Sequence, residues 1–241
     1  MRPGGISVKY RLGDRDAIGE VLFWRGPKLE SATIPVFVKF AKKARGVLDV
    51  GANAGLYSII ACAANPNARI KAWEPVPYLH ERLRANLAEN GFETRCDARP
   101  NAVSDAAGSA TLYIPEDTTM ASLHAGHNSK ATTIRVAIET VDEVVGPDFP
   151  VDLIKLDVES HEHAALLGMQ ATLERCKPAI IFECLPATPS GPIEELLFDH
   201  GYQLSRLLTS GPRRIDRISD SPAFSAEYNF LALHPKGASV L

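Results

Sequence analysis

Short apolar runs alternate with longer stretches of helical period along most of this chain. Val47–Val50, Arg69–Trp73, Val151–Val158 and Ala179–Glu183 are short runs carrying apolar or β-branched residues, which predicts strands. Between them Leu79, Leu83 and Leu87 recur every four residues, predicting an amphipathic helix from Tyr78 to Asn90 with Gly91 as its C-cap. Further helices are predicted over Leu56–Ala64, over Val141–Val145, from His161 to about Leu173, and over Pro192–His200 with Gly201 closing it. A third strand lies within Phe92–Val103. The segment from Thr111 to Ala137 reads as an antiparallel excursion around a polar loop. Tyr202–Leu208 and Tyr228–Leu233 follow each other without a helix between them, so a closing antiparallel pair at one sheet edge is expected. Strands alternating with helices imply an α/β fold: a Rossmann-like sheet, mostly parallel, with helices on both faces.

Two regions resist this reading. Over residues 1–45, Gly4, Gly5, Gly13, Gly19 and Gly26 break the pattern before an apolar stretch at Ile34–Phe40, which suggests strands or turns and then a helix ending near Lys42-Lys43. The organisation expected is one domain over 1–241, with a core from 46 to 241 and an extension over 1–45 that caps the cofactor side. Trp24 and Glu30 are the residues there that a cofactor would meet, although a structural cap explains them as well. The loop Pro115–Lys130 carries Met120, Ser122, His124 and His127; it reads as a lid or as a mobile connection, and its histidines as solvated.

Composition narrows the classes. At 241 residues and 45% hydrophobic content the chain supports one full core. Net charge is −3, and no Lys/Arg run is interleaved with aromatics, so a nucleic-acid partner is not expected. No apolar run reaches the roughly 18 residues of a membrane span, and the signal-peptide order is missing at the start, which leads to the expectation of a cytoplasmic protein with no membrane partner. Cys62, Cys96, Cys176 and Cys184 are scattered without a CxxC pair and read as reduced packing residues.

The chemistry concentrates around Asp49-Val-Gly-Ala-Asn-Ala-Gly55. A buried strand, then Gly51 and Gly55, then a helix entry is a nucleotide-binding turn: glycine lets a ligand approach the backbone, and the helix's first N–H groups are free to donate. In an open parallel sheet ligands bind outside the carboxyl ends of the strands. Asp49, Glu74, Asp157 and Glu183 all fall at or near such ends, and four acids in one crevice repel a phosphate. The turn also has Asn53 where a dinucleotide fingerprint has glycine. A cationic nucleoside suits it better, and S-adenosylmethionine is one: it carries a sulfonium, an ammonium and a ribose but no phosphate. The expected cofactor contacts are Asp49, Gly51, Ala52, Asn53 and Gly55, with Glu74 accepting the ribose hydroxyls.

Across the crevice, Asp157, Glu159 and His161 are the expected catalytic residues. Methyl transfer to a hydroxyl needs in-line alignment and a base to take the proton. His161 follows a strand's carboxyl end, has acids at 157, 159 and 162 around it, and titrates near neutrality. His163 is two positions on and faces elsewhere. A divalent cation is not favoured; if one is present, Asp157, Glu159 and Glu183, with Glu162 nearby, offer the oxygen ligands. Lys155 is placed to neutralise these acids instead.

Taken together, Asp49–Gly55, Trp73-Glu74-Pro75, Leu83-x-x-Asn86-Leu87-x-x-Asn90, Asn101-Ala-Val-Ser-Asp105 and Ile154-Lys-Leu-Asp-Val-Glu159 resemble the FkbM-type methyltransferases. The resemblance runs from about Gly46 to Glu183. It implies a class I fold with a seven-stranded sheet whose last pair is antiparallel, S-adenosylmethionine as methyl donor, a hydroxyl on a sugar or natural product as acceptor, and Asn101 and Ala102 beside the adenine. One departure stands out: Ser160 occupies a position where that family has glycine. Either the turn does without positive φ or the hydroxyl is put to use. A nicotinamide-dependent reductase and a catalytically inactive cofactor-binding module are the alternatives, and the sequence leaves a homo-oligomer open.

Overall fold

The computed structural model describes residues 1–11, 30–115, 131–220 and 228–236. Residues 116–130, with Met120, Ser122, His124 and His127, and Trp24 lie outside the described residues. The apolar runs become the strands β1 (Gly46–Val50), β2 (Arg69–Trp73), β7 (Leu153–Leu156) and β8 (Ala179–Glu183). With β3 (Cys96–Arg99) they form a parallel array in the order β3-β2-β1-β7-β8. The chain leaves β1 in one direction for β2 and β3, and returns on its other side to β7. The switch in strand order therefore falls between β1 and β7, where an open sheet splays its loops apart.

Past β8 the sheet continues through β11 (Asn229–Leu233) to β9 (Gln203–Leu208) and β10 (Gly211–Arg214). The last strand, β11, is inserted between β8 and β9 and runs antiparallel to both, as the missing helix between those segments predicts. Among the described residues the sheet has eight strands rather than the seven expected. The extra strand is Gly211–Arg214, which folds back antiparallel on β9 after a turn at Thr209-Ser210. Its exposed Pro212, Arg213 and Arg214 carry no apolar signal, and they cover an edge that β9 would otherwise present.

The Phe92–Val103 region splits into two strands. β3 joins the main sheet, while β4 (Ala102–Val103) pairs parallel with β6 (Ala131–Glu139). β6 also pairs antiparallel with β5 (Gly108–Pro115), which gives the expected excursion as a separate three-stranded sheet. Ala102, Leu112 and Val136 of this sheet pack on Val76 and Leu79, so it stands beside the carboxyl end of β2.

Among the helices are α1 (Thr33–Ala41), α2 (Leu56–Ala64), α3 (Pro77–Glu89), α4 (Val141–Val144), α5 (Glu162–Leu167), α6 (Gln170–Cys176) and α7 (Ser190–Asp199). α3 buries Leu79, Leu83 and Leu87 as its period requires, and Gly91 just past it takes a φ of 70°. The single helix expected from His161 to Leu173 is broken in two at Gly168-Met169. A Cβ on Gly168 would lie 2.0 Å from the Ser104 carbonyl oxygen, so the break brings two backbones into contact. Alternate side chains of β1 serve two cores: Val47 packs with Phe37, Ile59 and Ile60 on one face, and Leu48 and Val50 pack with Leu156, Leu166 and Ile180 on the other. Each such side chain, fully buried, contributes about 1.5–3 kcal/mol. Cys62, Cys96 and Cys184 are buried free thiols, and Cys176 is a half-buried one. Among the described residues no helix is long and apolar enough to cross a membrane.

The first eleven residues are pinned to this frame by two side-chain amides. Asn90 accepts from Lys9 N–H at 2.9 Å and donates to the Lys9 carbonyl at 2.7 Å, while Asn86 accepts from Arg11 N–H at 2.7 Å.

Candidate active site

The buried strand β1 runs out at Gly51, where φ turns to 81°. Only glycine fits there, because a Cβ would lie 1.8 Å from the Asp157 carbonyl oxygen. Gly51 and Ala52 donate their N–H groups to the Trp73 carbonyl at 3.0 and 2.9 Å, tying the turn to the end of β2. Asn53 follows at φ 51° and bonds its own side-chain oxygen to Ala54 N–H at 2.7 Å, a local closure that explains why asparagine tolerates this conformation. Gly55, at φ 89°, is the N-cap of α2. Buried Asn86 donates to the Ala54 carbonyl at 2.7 Å, so the amide that holds Arg11 also holds the glycine turn.

Glu74 sits where β2 ends. Its Oε2 accepts from Asn53 N–H at 2.8 Å and its Oε1 from Val76 N–H at 2.9 Å. It is 5% exposed, and burial pushes its pKa up to about 7, with the two backbone donors pulling the other way. Each oxygen retains a lone pair for a further donor. Trp73 beside it is fixed by Nε1–H donating to Glu139 at 3.0 Å, and Glu139 in turn takes a two-pronged bond from Arg99.

β7 delivers the opposite wall. Lys155 is 2% exposed and donates through Nζ to Asp157 Oδ2 at 2.8 Å, with the Tyr57 ring 5.2 Å from its ammonium. Burial works against that charge, but Asp157, Glu30 and Glu183 hold the lysine pKa above its ordinary value. Tyr57 donates through its hydroxyl to Glu30 at 2.8 Å. After Asp157 the chain makes a turn through two left-handed residues, Glu159 at φ 52° and Ser160 at φ 72°. The turn therefore does need positive φ, and the hydroxyl is used as well: Ser160 Oγ bonds Thr188 Oγ1 at 2.8 Å. Glu162 closes the turn by accepting Val158 N–H at 3.3 Å.

One oxygen each of Asp157, Glu159 and Glu183 lies within 4.8 Å of the others. Burial first and the Asp157 charge second push Glu159 up to about 7 and Glu183 to about 9. Crowding by these acids and burial thus both favour the protonated form of Glu183, while the Lys155 charge opposes it. Glu162 is not part of this group. His161, the N-cap of α5, faces the same space and bonds Ser104 Oγ through Nε2 at 2.9 Å.

These residues enclose a cavity of about 260 Å³. Of the residues expected to hold a cofactor, Gly51, Ala52, Asn53, Glu74, Asn101 and Ala102 line it, and so do the expected catalytic residues Asp157, Glu159 and His161, together with Glu183. Asp49 does not. It is 1% exposed behind the turn, takes a 2.6 Å bond from Ser58 Oγ, and is pushed up to about 6 by burial. Side chains alternate along a strand, and it is Val50 rather than Asp49 that reaches the cavity. Gly55 lies behind Ala54 and Leu56, which do line it. Tyr10, Tyr57 and Leu112 line the cavity as well, without a signal in the sequence that marks them, and Lys155 lines it besides neutralising Asp157. Among the described residues the cavity presents the carboxyl groups of Glu30, Glu74, Asp157, Glu159 and Glu183 against one lysine, which is already paired with Asp157, a lining ill suited to a pyrophosphate.

The methyltransferase FkbM domain family matches residues 49–204. Methyltransferase sdnD of Sordaria araneosa is 26% identical over 192 residues, covering 66% of this chain and 74% of that protein. The 31-O-demethyl-FK506 methyltransferase FkbM of Streptomyces tacrolimicus is 28% identical over 155 residues, covering 52% of this chain and 59% of its own length. Among solved structures, methyltransferase FkbM from Methylobacillus flagellatus KT superposes with a TM-score of 0.50 at 14% identity, covering 80% of this chain and 44% of that one. That likeness concerns the fold alone.

Proposed function

From the premise that this chain belongs to the FkbM methyltransferase family, we propose that it transfers a methyl group from S-adenosylmethionine to a hydroxyl oxygen of a sugar or natural-product small molecule. The observation that carries this reading is Glu74: a buried carboxylate, oriented by two backbone amides, on the same cavity as Asp157, Glu159 and His161.

The residues fit the donor in kind. The Gly51–Ala54 turn offers a close backbone approach and no phosphate-binding cation, and Glu74 would accept the ribose hydroxyls with its remaining lone pairs. Asn101 and Ala102 would flank the adenine. Tyr10 and Glu30, from the segment before residue 46, would cap the cofactor side. When bound, S-adenosylmethionine supplies an electrophilic methyl group on a sulfonium. The protein's tasks are then alignment, exclusion of water and removal of the acceptor's proton. Asp157, held at a fixed position by Lys155, would orient the methionine portion or the acceptor, and His161 would take the hydroxyl proton as general base, worth about 10²–10⁴ in rate.

Asp157, Glu159 and Glu183 also form a set of oxygen ligands that a divalent cation would accept. Lys155 already supplies a positive charge there, and this supports the metal-free reading. The test is mass spectrometry for a gain of one methyl group across a panel of hydroxylated metabolites, with isotope-labelled donor and with and without chelator. Calorimetric binding of NAD but not of S-adenosylhomocysteine would overturn the proposal in favour of a nicotinamide enzyme.

A further inference from the structure

Ser104 is 5% exposed and held from several sides. Its N–H donates to the Glu139 carbonyl at 3.1 Å, its own carbonyl packs against Gly168, and its Oγ lies 2.8 Å from Asp105 Oδ1 and 2.9 Å from His161 Nε2. A serine hydroxyl has one proton and can accept on its lone pairs, whereas a carboxylate only accepts. The proton is therefore committed to Asp105, and the contact with the ring can only be Nε2–H donating to Oγ. In the neutral imidazole this places the basic lone pair on Nδ1.

We infer that Ser104 and Asp105 are positioning residues that hold His161 in its Nε2–H form and thereby make Nδ1 the nitrogen that takes the acceptor's proton. The inference rests on the proposal that His161 is the general base. It gives a role to two residues that touch neither donor nor acceptor. As the acceptor oxygen attacks the methyl carbon and the carbon–sulfur bond breaks, the hydroxyl proton passes to Nδ1. The charge that develops on the ring is met at its far side by a hydrogen bond whose acceptor is polarised by the Asp105 carboxylate. The arrangement also ties the base to the β4 end and to the break between α5 and α6, so the ring cannot turn without displacing Ser104.

Two substitutions separate this role from simple packing. Asp105→Asn, at an exposed side chain, leaves a group whose Nδ2–H can donate to Ser104 Oγ; the hydroxyl can then reverse and donate to Nε2, which favours the Nδ1–H form of His161. Ser104→Ala removes the constraint altogether. With histidine-labelled apoprotein at pH 8, nitrogen-15 two-bond correlation spectra should show His161 as Nε2–H in the parent, shifted towards Nδ1–H in Asp105→Asn and mixed in Ser104→Ala. With a confirmed acceptor, kcat should fall about tenfold in both variants, part of the general-base contribution, while KM for the acceptor is unchanged. Nδ1–H in the parent overturns the inference, as does an unchanged tautomer in both variants. A parental rate in His161→Gln instead refutes the base on which it rests, whatever the spectra show.

Discussion

Adding one methyl group at Gly51 tests the packing on which the cradle depends, because Gly91 provides a matched control. Both glycines sit at positive φ, 81° and 70°. Alanine at either pays the left-handed penalty of about 1–2 kcal/mol, less about 0.4–1 kcal/mol recovered from a stiffer unfolded chain. For Gly91→Ala that is the whole account, since nothing lies within 4 Å of the new Cβ, and a loss of about 0.5–1 kcal/mol is expected. At Gly51 the new Cβ falls 1.8 Å from a backbone oxygen, when ordinary contact begins near 3.4 Å, so one of two central strands must retreat. Overpacking of that kind adds about 1–3 kcal/mol, for a total of about 2–4. With a urea slope of about 3 kcal/mol/M, the midpoint should drop by about 0.2–0.3 M in Gly91→Ala and by about 1 M in Gly51→Ala. Calorimetry with S-adenosylhomocysteine gives a second readout: affinity should hold in Gly91→Ala and fall at least about tenfold in Gly51→Ala, because the retreat moves the turn or Asp157. Equal midpoint shifts in the two variants would refute the argument from close approach.

Three further outcomes follow from the same geometry. Glu74→Gln should weaken S-adenosylhomocysteine binding about 10- to 100-fold, the worth of a hydrogen bond to a charged acceptor. Because burial raises Glu74 to about 7, binding by the parent should strengthen as pH rises from 6 to 8, and that slope should vanish in the variant; a retained slope would point to another group. Burial likewise raises Glu162 to about 7, so its contribution to folding is full below its ordinary 4.5 and is lost as pH climbs through 7. Glu162→Gln should therefore lose less stability than the parent between pH 5 and 8 in urea titrations, and parallel curves would sink the assignment. At Ser160, alanine keeps the left-handed strain and loses the Thr188 bond, costing about 1 kcal/mol, whereas glycine loses the same bond but relieves the strain. Ser160→Gly should thus be the more stable of the two, against glycine's usual ranking, and the reverse order in thermal melts would contradict the strained turn.

What could be read in advance was local chemistry. The strand, two glycines and a helix entry announce a cradle because each residue's own conformational freedom says so, and Pro75 and Pro77 mark the end of β2 without help from tertiary structure. Glu74, Asp157, Glu159, Glu183 and His161 could be brought to one place because the parallel sheet puts all strand ends on one rim. What could not be read depends on partners distant in sequence. Asp49 looks like a ligand by position, and only the register of β1 against α2 turns it towards Ser58. Gly168 carries no sign that a carbonyl 64 positions earlier will press on it, so one helix was expected where two stand. Ser104 was visible within Asn101–Asp105, but its bond to His161 joins residues brought together only by that contact. Gly211–Arg214 pairs through its backbone, with no apolar pattern to betray it.

Asn86, a polar position in the apolar spacing of α3, grips both the Arg11 backbone and the Ala54 carbonyl through one amide. Its carboxamide is a shared coupling between the segment that carries Tyr10 and the turn that forms the cradle floor. Any coupling carried through that amide is reciprocal: if ordering one element eases the ordering of the other, it does so by the same free energy in either direction. A ligand settling on the turn would therefore strengthen the hold on the amino-terminal segment, and a segment already docked would improve the turn's affinity for that ligand.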